Sequence, residues 1–97
     1  MERRSVGSMT AGDELLLSNL LEALDDLYDQ APGAEVHVWR LLLATSRAFS
    51  GDPSRSEPID SAAHAMGDLL RGGLSSHELN RRALIVTDEA RRVAGAP

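Results

Sequence analysis

The apolar positions of the chain fall into four runs at helical spacing, separated by turn-forming residues. The first run opens at Thr10, which stands three places before Asp13, the spacing of an N-terminal cap with an acidic third position. Leu16, Leu17, Leu20, Leu24, Leu27 and Tyr28 then recur with a helical period. They predict a helix over 11–30, which Ala31-Pro32-Gly33 ends.

The second run, 34–50, is apolar over most of a helical circumference. Val36, Val38, Trp39, Leu41, Leu42, Leu43, Ala48 and Phe49 leave only a narrow stripe of His37, Arg40 and Arg47, with Ala44 between them. A strand is the rival reading, because Glu35-Val36-His37-Val38 alternates. Trp39 and the run Leu41-Leu42-Leu43 break the alternation, so a helix is expected. A helix this apolar is either central in a bundle or shared with a partner.

Residues 50–58 hold Gly51, Pro53, Pro58 and three serines, and read as the longest loop. Ile59, Ala62, Ala63, Met66, Leu69 and Leu70 predict a third helix over 59–71, stopped at Gly72-Gly73. Ser75 and Glu78 have the spacing of a capping box at the head of a last helix, 75–94. Its seam is Leu79, Ala83, Val86, Ala90 and Val93, with Leu84 and Ile85 off the seam. The pattern therefore predicts one all-α domain over 10–97, a bundle of about four helices. Residues 1–9 are set aside as a flexible arm or tag remnant.

Composition narrows the function. At 97 residues a single core is feasible but modest, and dimerisation is a common way to add buried area. Together with the over-apolar second run, this predicts a homodimer with that helix near the interface. The net charge of −5 disfavours non-specific binding to nucleic acid or to an anionic membrane. Cysteine is absent, which removes disulfides and thiolate sites. No signal-peptide pattern opens the chain, and a cytoplasmic location is expected. All ten basic residues are arginine, which with the many alanines suggests a GC-rich bacterial genome.

Charge is segregated along the chain. Residues 11–35 carry Asp13, Glu14, Glu22, Asp25, Asp26, Asp29 and Glu35 with no arginine. Residues 71–92 carry Arg71, Arg81, Arg82, Arg91 and Arg92 against Glu78, Asp88 and Glu89. The plain reading is two solvated faces. The sharper one is electrostatic pairing, between these helices or between subunits.

Candidate chemistry is thin. His37, His64 and His77 have no metal-site spacing, and neither a metal nor a cofactor is expected. Ala62-Ala63-His64-Ala65-Met66 faintly resembles the phospho-accepting segment of histidine phosphotransfer domains, which are helical bundles. The resemblance implies an exposed histidine that takes a phosphoryl group. Here Gly67 comes one place early, Asp68 stands where that glycine is expected, and lysine is absent, so a surface histidine is the simpler reading. Ser76-His77-Glu78-Leu79 is similar to the opening of the histidine-kinase H-box, but Asn80 and Arg82 replace the residues that follow, and a helix cap accounts for it. Asp60-Ser61 resembles the phosphopantetheine attachment site of acyl carrier proteins, with Ala62 in place of leucine; a simple N-cap accounts for it.

The expected function is thus a non-enzymatic protein–protein interaction module, of an adaptor, immunity, antitoxin or regulatory kind. Its partner would be another, basic protein. The interface candidates are Val36, Trp39, Leu43, Phe49, Leu84 and Ile85, and the acidic face is Glu22, Asp25, Asp26 and Asp29. One alternative is a small DNA-binding regulator in which residues 75–94 form a helix-turn-helix, broken at Ile85-Val86-Thr87, with Arg81, Arg82, Arg91 and Arg92 on DNA. The other is a phosphotransfer module using His64.

Overall fold

The computed structural model describes residues 10–96. The arm read over 1–9 lies outside them. The described residues form five helices and no strand: α1 (Ala11–Tyr28), α2 (Ala34–Ala48), α3 (Pro53–Arg71), α4 (Ser76–Val86) and α5 (Asp88–Ala94). The all-helical expectation holds, and the second run is a helix. The number and limits of the helices change in three places.

The first change is small. α1 stops at Tyr28, and its capping box is formed as expected: the Asp13 N–H donates to the Thr10 hydroxyl at 3.0 Å, and the Asp13 carboxylate accepts from the Thr10 N–H. At the other end Gln30 takes the left-handed conformation, with φ 60°. The Ala31 N–H donates to the Asp26 carbonyl at 2.9 Å and the Gln30 N–H to that of Leu27 at 3.1 Å. This is the wrap-around helix stop that glycine usually supplies, made here with a glutamine. Gly33, also left-handed, then leads into α2, and the short turn sets α1 and α2 antiparallel.

The second change is in the expected loop 50–58. α3 begins at Pro53, with Pro58 inside it. Proline suits the first helical position, where its missing N–H is not needed. Asp52 supplies the start: its carbonyl accepts from the Arg55 and Ser56 N–H groups. Pro58 cannot donate to the carbonyl of Ser54, but Ser54 is exposed and water can serve that oxygen. Packing compensates. Ile59 is fully buried, and the Arg55 guanidinium lies 5.4 Å from the centre of the Phe49 ring.

The third change is in the last helix, which divides at Thr87. Thr87, at φ −97° and ψ 0°, ends one helix and begins the next: its N–H and its hydroxyl both donate to the Ala83 carbonyl, at 3.0 and 2.7 Å, and its own carbonyl accepts from the Arg91 N–H. The buried residues across the break are Asn80, Ala83, Thr87, Ala90 and Ala94. This is a clean alternation of three and four, sharing Ala83 and Ala90 with the expected seam. Leu79, Val86 and Val93 are only half-buried beside it.

The core is built from Leu17, Leu20, Leu24 and Leu27 of α1, Val38 and Leu42 of α2, and Ile59, Ala63 and Met66 of α3. α2 packs extensively against both α1 and α3. α4 and α5 close the other side against α3 and α1 and barely meet α2. The layout is a four-cornered bundle whose fourth corner is the broken pair α4 and α5. Where α2 crosses α3, Gly67 lets the Trp39 indole lie against the helix, since a Cβ there would stand 3.2 Å from Trp39 Nε1. No helix among the described residues is long and apolar enough to cross a membrane.

Candidate functional site

The apolar interface candidates do not form one patch. Phe49 is buried, 7% exposed, and belongs to the core under Arg55, so it is withdrawn from the surface. Trp39 and Leu43 are half-buried against the core, and Trp39 faces α3. Val36 is exposed on α2, whereas Leu84 and Ile85 stand on α4, at the opposite corner of the bundle. Leu84 is half-buried and Ile85 is 64% exposed.

The residue missing from the expectation is Tyr28. It sits at the edge of the apolar stripe of α1, one place past the buried Leu27, and is 71% exposed rather than in the core. It lines a groove of about 460 Å³ with Asp25, Leu84, Thr87, Asp88 and Arg91. An exposed tyrosine offers an apolar ring and a polar tip, a combination suited to contact with a protein. Its only signal in the sequence was its flanking position on the stripe, beside Asp25, Asp26 and Asp29.

Of the acidic residues, Glu22, Asp25, Asp26 and Asp29 are all exposed. Arg91 of α5 donates to Asp25 at 2.9 Å, which joins the acidic first helix to the more basic last one. Glu22, Asp26 and Asp29 make no ion pair among the described residues, so most of the negative charge of the four is uncompensated.

The four arginines of the DNA-binding alternative are all engaged with carboxylates. Arg81 and Arg82 both bind Glu78, at 2.7 and 2.5 Å; Arg92 binds Glu89, and Arg91 binds Asp25. The two guanidinium groups hold the Glu78 carboxyl below its usual range, chiefly through the hydrogen bonds from Arg81 and then Arg82. The Glu89 carboxylate, through its hydrogen bond, raises Arg92 above the usual arginine value. Arg91 and Arg92 are thus each matched by one carboxylate and Arg81 and Arg82 share one, so the positive charge is largely compensated rather than arrayed as a basic stripe.

His64 is exposed in the middle of α3. Its Nδ1 lies 3.0 Å from the Asp60 carbonyl oxygen and 3.4 Å from the Asp60 carboxylate. A proton on Nδ1 would satisfy that carbonyl and leave Nε2 as the free nucleophile. A phosphoryl group on Nε2 would meet Asp60 one turn before and Asp68 one turn after, and Arg71 is already paired with Asp68 at 2.6 Å. On its other side, Asp60 accepts from the Ser46 hydroxyl at 3.3 Å. Hydroxyl, carboxylate and imidazole thus meet, but with the carboxylate in the middle. Activation of a hydroxyl nucleophile needs the imidazole there. Ser46 and Asp60, but not His64, also line a groove of about 470 Å³ between α2 and α3. Ser61 lies inside α3, not at its head, so neither the N-cap nor the carrier-protein reading of Asp60-Ser61 fits its position.

His37 is exposed on α2 and His77 in the first turn of α4. Among the described residues no group of three histidine, aspartate or glutamate side chains could hold a metal ion. No protein-family model, curated protein or solved structure matches this chain.

Proposed function

We propose that the protein is a non-enzymatic interaction module that holds a basic protein partner on the edge where α1 meets α4 and α5. The observation that carries this reading is the Tyr28 groove. An exposed aromatic ring and the half-buried Leu84 form its apolar floor; Asp88 and the Asp25–Arg91 pair line its edge, and the unpaired Asp29, next to Tyr28 in the chain, adds negative charge beside it. Such a groove suits a segment that inserts one apolar side chain and brings arginines or lysines to the rim. The floor would supply most of the affinity, and the rim would supply steering and register. Ile85, beside Leu84 on α4, extends the apolar surface.

The test is affinity purification under native conditions from the cells the protein comes from, run side by side with the Tyr28→Ala, Asp29→Lys double variant. Both residues are exposed, so the variant should keep the helical circular dichroism of the parent. A basic protein retained by the parent, lost by the variant and released by salt supports the proposal. The same proteins on both baits, or on neither, refute it.

A further inference from the structure

α1 and α2 together expose a second face, on the side of α1 away from the Tyr28 groove. Asp25 and Tyr28 mark the flank of α1 that meets α4 and α5, and Trp39 and Leu43 the flank of α2 that meets α3. The outward face between the two helices is therefore formed by Leu15, Glu22 and Asp26 of α1 with His37, Arg40 and Ala44 of α2. All six are exposed, Leu15 by 62%. The face is split by charge. Its α1 half is acidic, and its α2 half carries Arg40, which makes no ion pair among the described residues.

The register of the hairpin matters here. Glu22 and Arg40 stand nine residues either side of Ala31 in the turn, so they lie at the same height along the antiparallel pair. Asp26 and His37 stand five residues before and six after Ala31 and so are nearly level, and Leu15, sixteen residues before Ala31, is level with Arg47. We infer that this face is a homodimer interface, occupied by the same face of a second copy of this chain. Two such faces can meet about a two-fold axis in two ways. An axis across the helices sets α1 on α1 and acid on acid. An axis along the helices sets α1 of each copy on α2 of the other, without sliding, so residues at one height meet. That axis places Glu22 on Arg40, Asp26 on His37 and the protruding Leu15 against the exposed stretch at Arg47 and Ala48, each contact made twice by symmetry. Charge complementarity thus selects both the occupant and the axis. The Tyr28 groove stays open on the neighbouring edge, so the dimer would present two grooves.

The experiment is a charge swap read by sedimentation velocity and light scattering at low salt, with circular dichroism as the check on folding. The parent should be a dimer at tens of micromolar, weakening as salt rises. Glu22→Arg and Arg40→Glu should each raise the dissociation constant at least about tenfold, because symmetry inverts two contacts at once. The two variants mixed in equal amounts should form a heterodimer, since each then offers the charge the other lacks. A monomeric parent at high concentration, single variants that dimerise like the parent, or a mixture that stays monomeric would each overturn the inference. None of these results bears on the Tyr28 groove, whose partner is tested separately.

Discussion

Asn80 is a polar side chain in the core, and its replacement should be costly in a way that identifies the hydrogen bonds it makes. It is 8% exposed. Its Nδ2 donates to the Leu27 carbonyl at 2.9 Å and to the Glu35 carboxylate at 3.2 Å, tying α4 to the end of α1 and the start of α2. Asn80→Ala removes both bonds. The Leu27 carbonyl keeps the Gln30 N–H, and Glu35 is half-exposed and regains water, so neither acceptor is stranded. The cost should then be about 1–3 kcal/mol, the sum expected for one neutral and one screened charge-assisted bond. In a domain of this size that lowers Tm by roughly 5–20 °C. Asn80→Asp keeps the shape but sets a carboxylate against a carbonyl and another carboxylate, with no proton to share. At pH 7 it should be less stable than Asn80→Ala. Its pKa in the fold is raised above the unfolded value of about 3.9. The folded state therefore binds its proton first, and stability is recovered as pH falls through the folded pKa towards the unfolded one. Urea titrations followed by helical circular dichroism and by Trp39 fluorescence, at pH 7 and near pH 4.5, give the comparison. Asn80→Ala within 0.5 kcal/mol of the parent, or an Asn80→Asp deficit relative to it that does not shrink on acidification, would refute the argument.

Three further outcomes follow from local geometry. Pro58→Ala restores an N–H to the carbonyl of Ser54 inside α3 and should stabilise the protein by about 1–3 kcal/mol in thermal melts. Gln30→Gly removes a side chain from a left-handed position and should stabilise by about 0.5–1 kcal/mol, measured the same way. Glu78 is held below the usual carboxylate range by Arg81 and then Arg82, so its contribution is full at neutral pH and is lost as pH falls through its folded pKa. Glu78→Gln should therefore flatten the acid limb of the stability–pH curve and leave the neutral plateau's slope unchanged.

What the sequence revealed and what it hid divide along physical lines. Thr10 with Asp13, and Ser75 with Glu78, mark helix starts by side chains that bond within three residues, and both caps form. The apolar excess of α2 left two readings open, a central helix or one shared with a partner; α1 and α3 cover two sides of it and its outer side stays exposed. α3 was read six residues short because two prolines in a serine-rich stretch signal a loop locally. Ile59 and the Arg55–Phe49 contact override that signal, and such packing is visible only once the chain is folded. Asn80 and Thr87 stand outside the apolar pattern because they are polar. Each is buried with a backbone carbonyl as its partner, and no linear pattern records that carbonyl. Phe49 and Tyr28 exchanged places for the same reason: both stand at the edge of an apolar stripe, and only the neighbouring helix decides which edge is covered.

Whether the Tyr28 groove holds a protein partner can be read by site-specific photo-crosslinking in living cells. A photoreactive phenylalanine analogue replaces Tyr28 in one strain and His64, exposed on α3, in another. A discrete adduct with a basic protein is expected from position 28 and none of that mass from position 64. No adduct at position 28, or the same adducts at both positions, would contradict a partner in the groove.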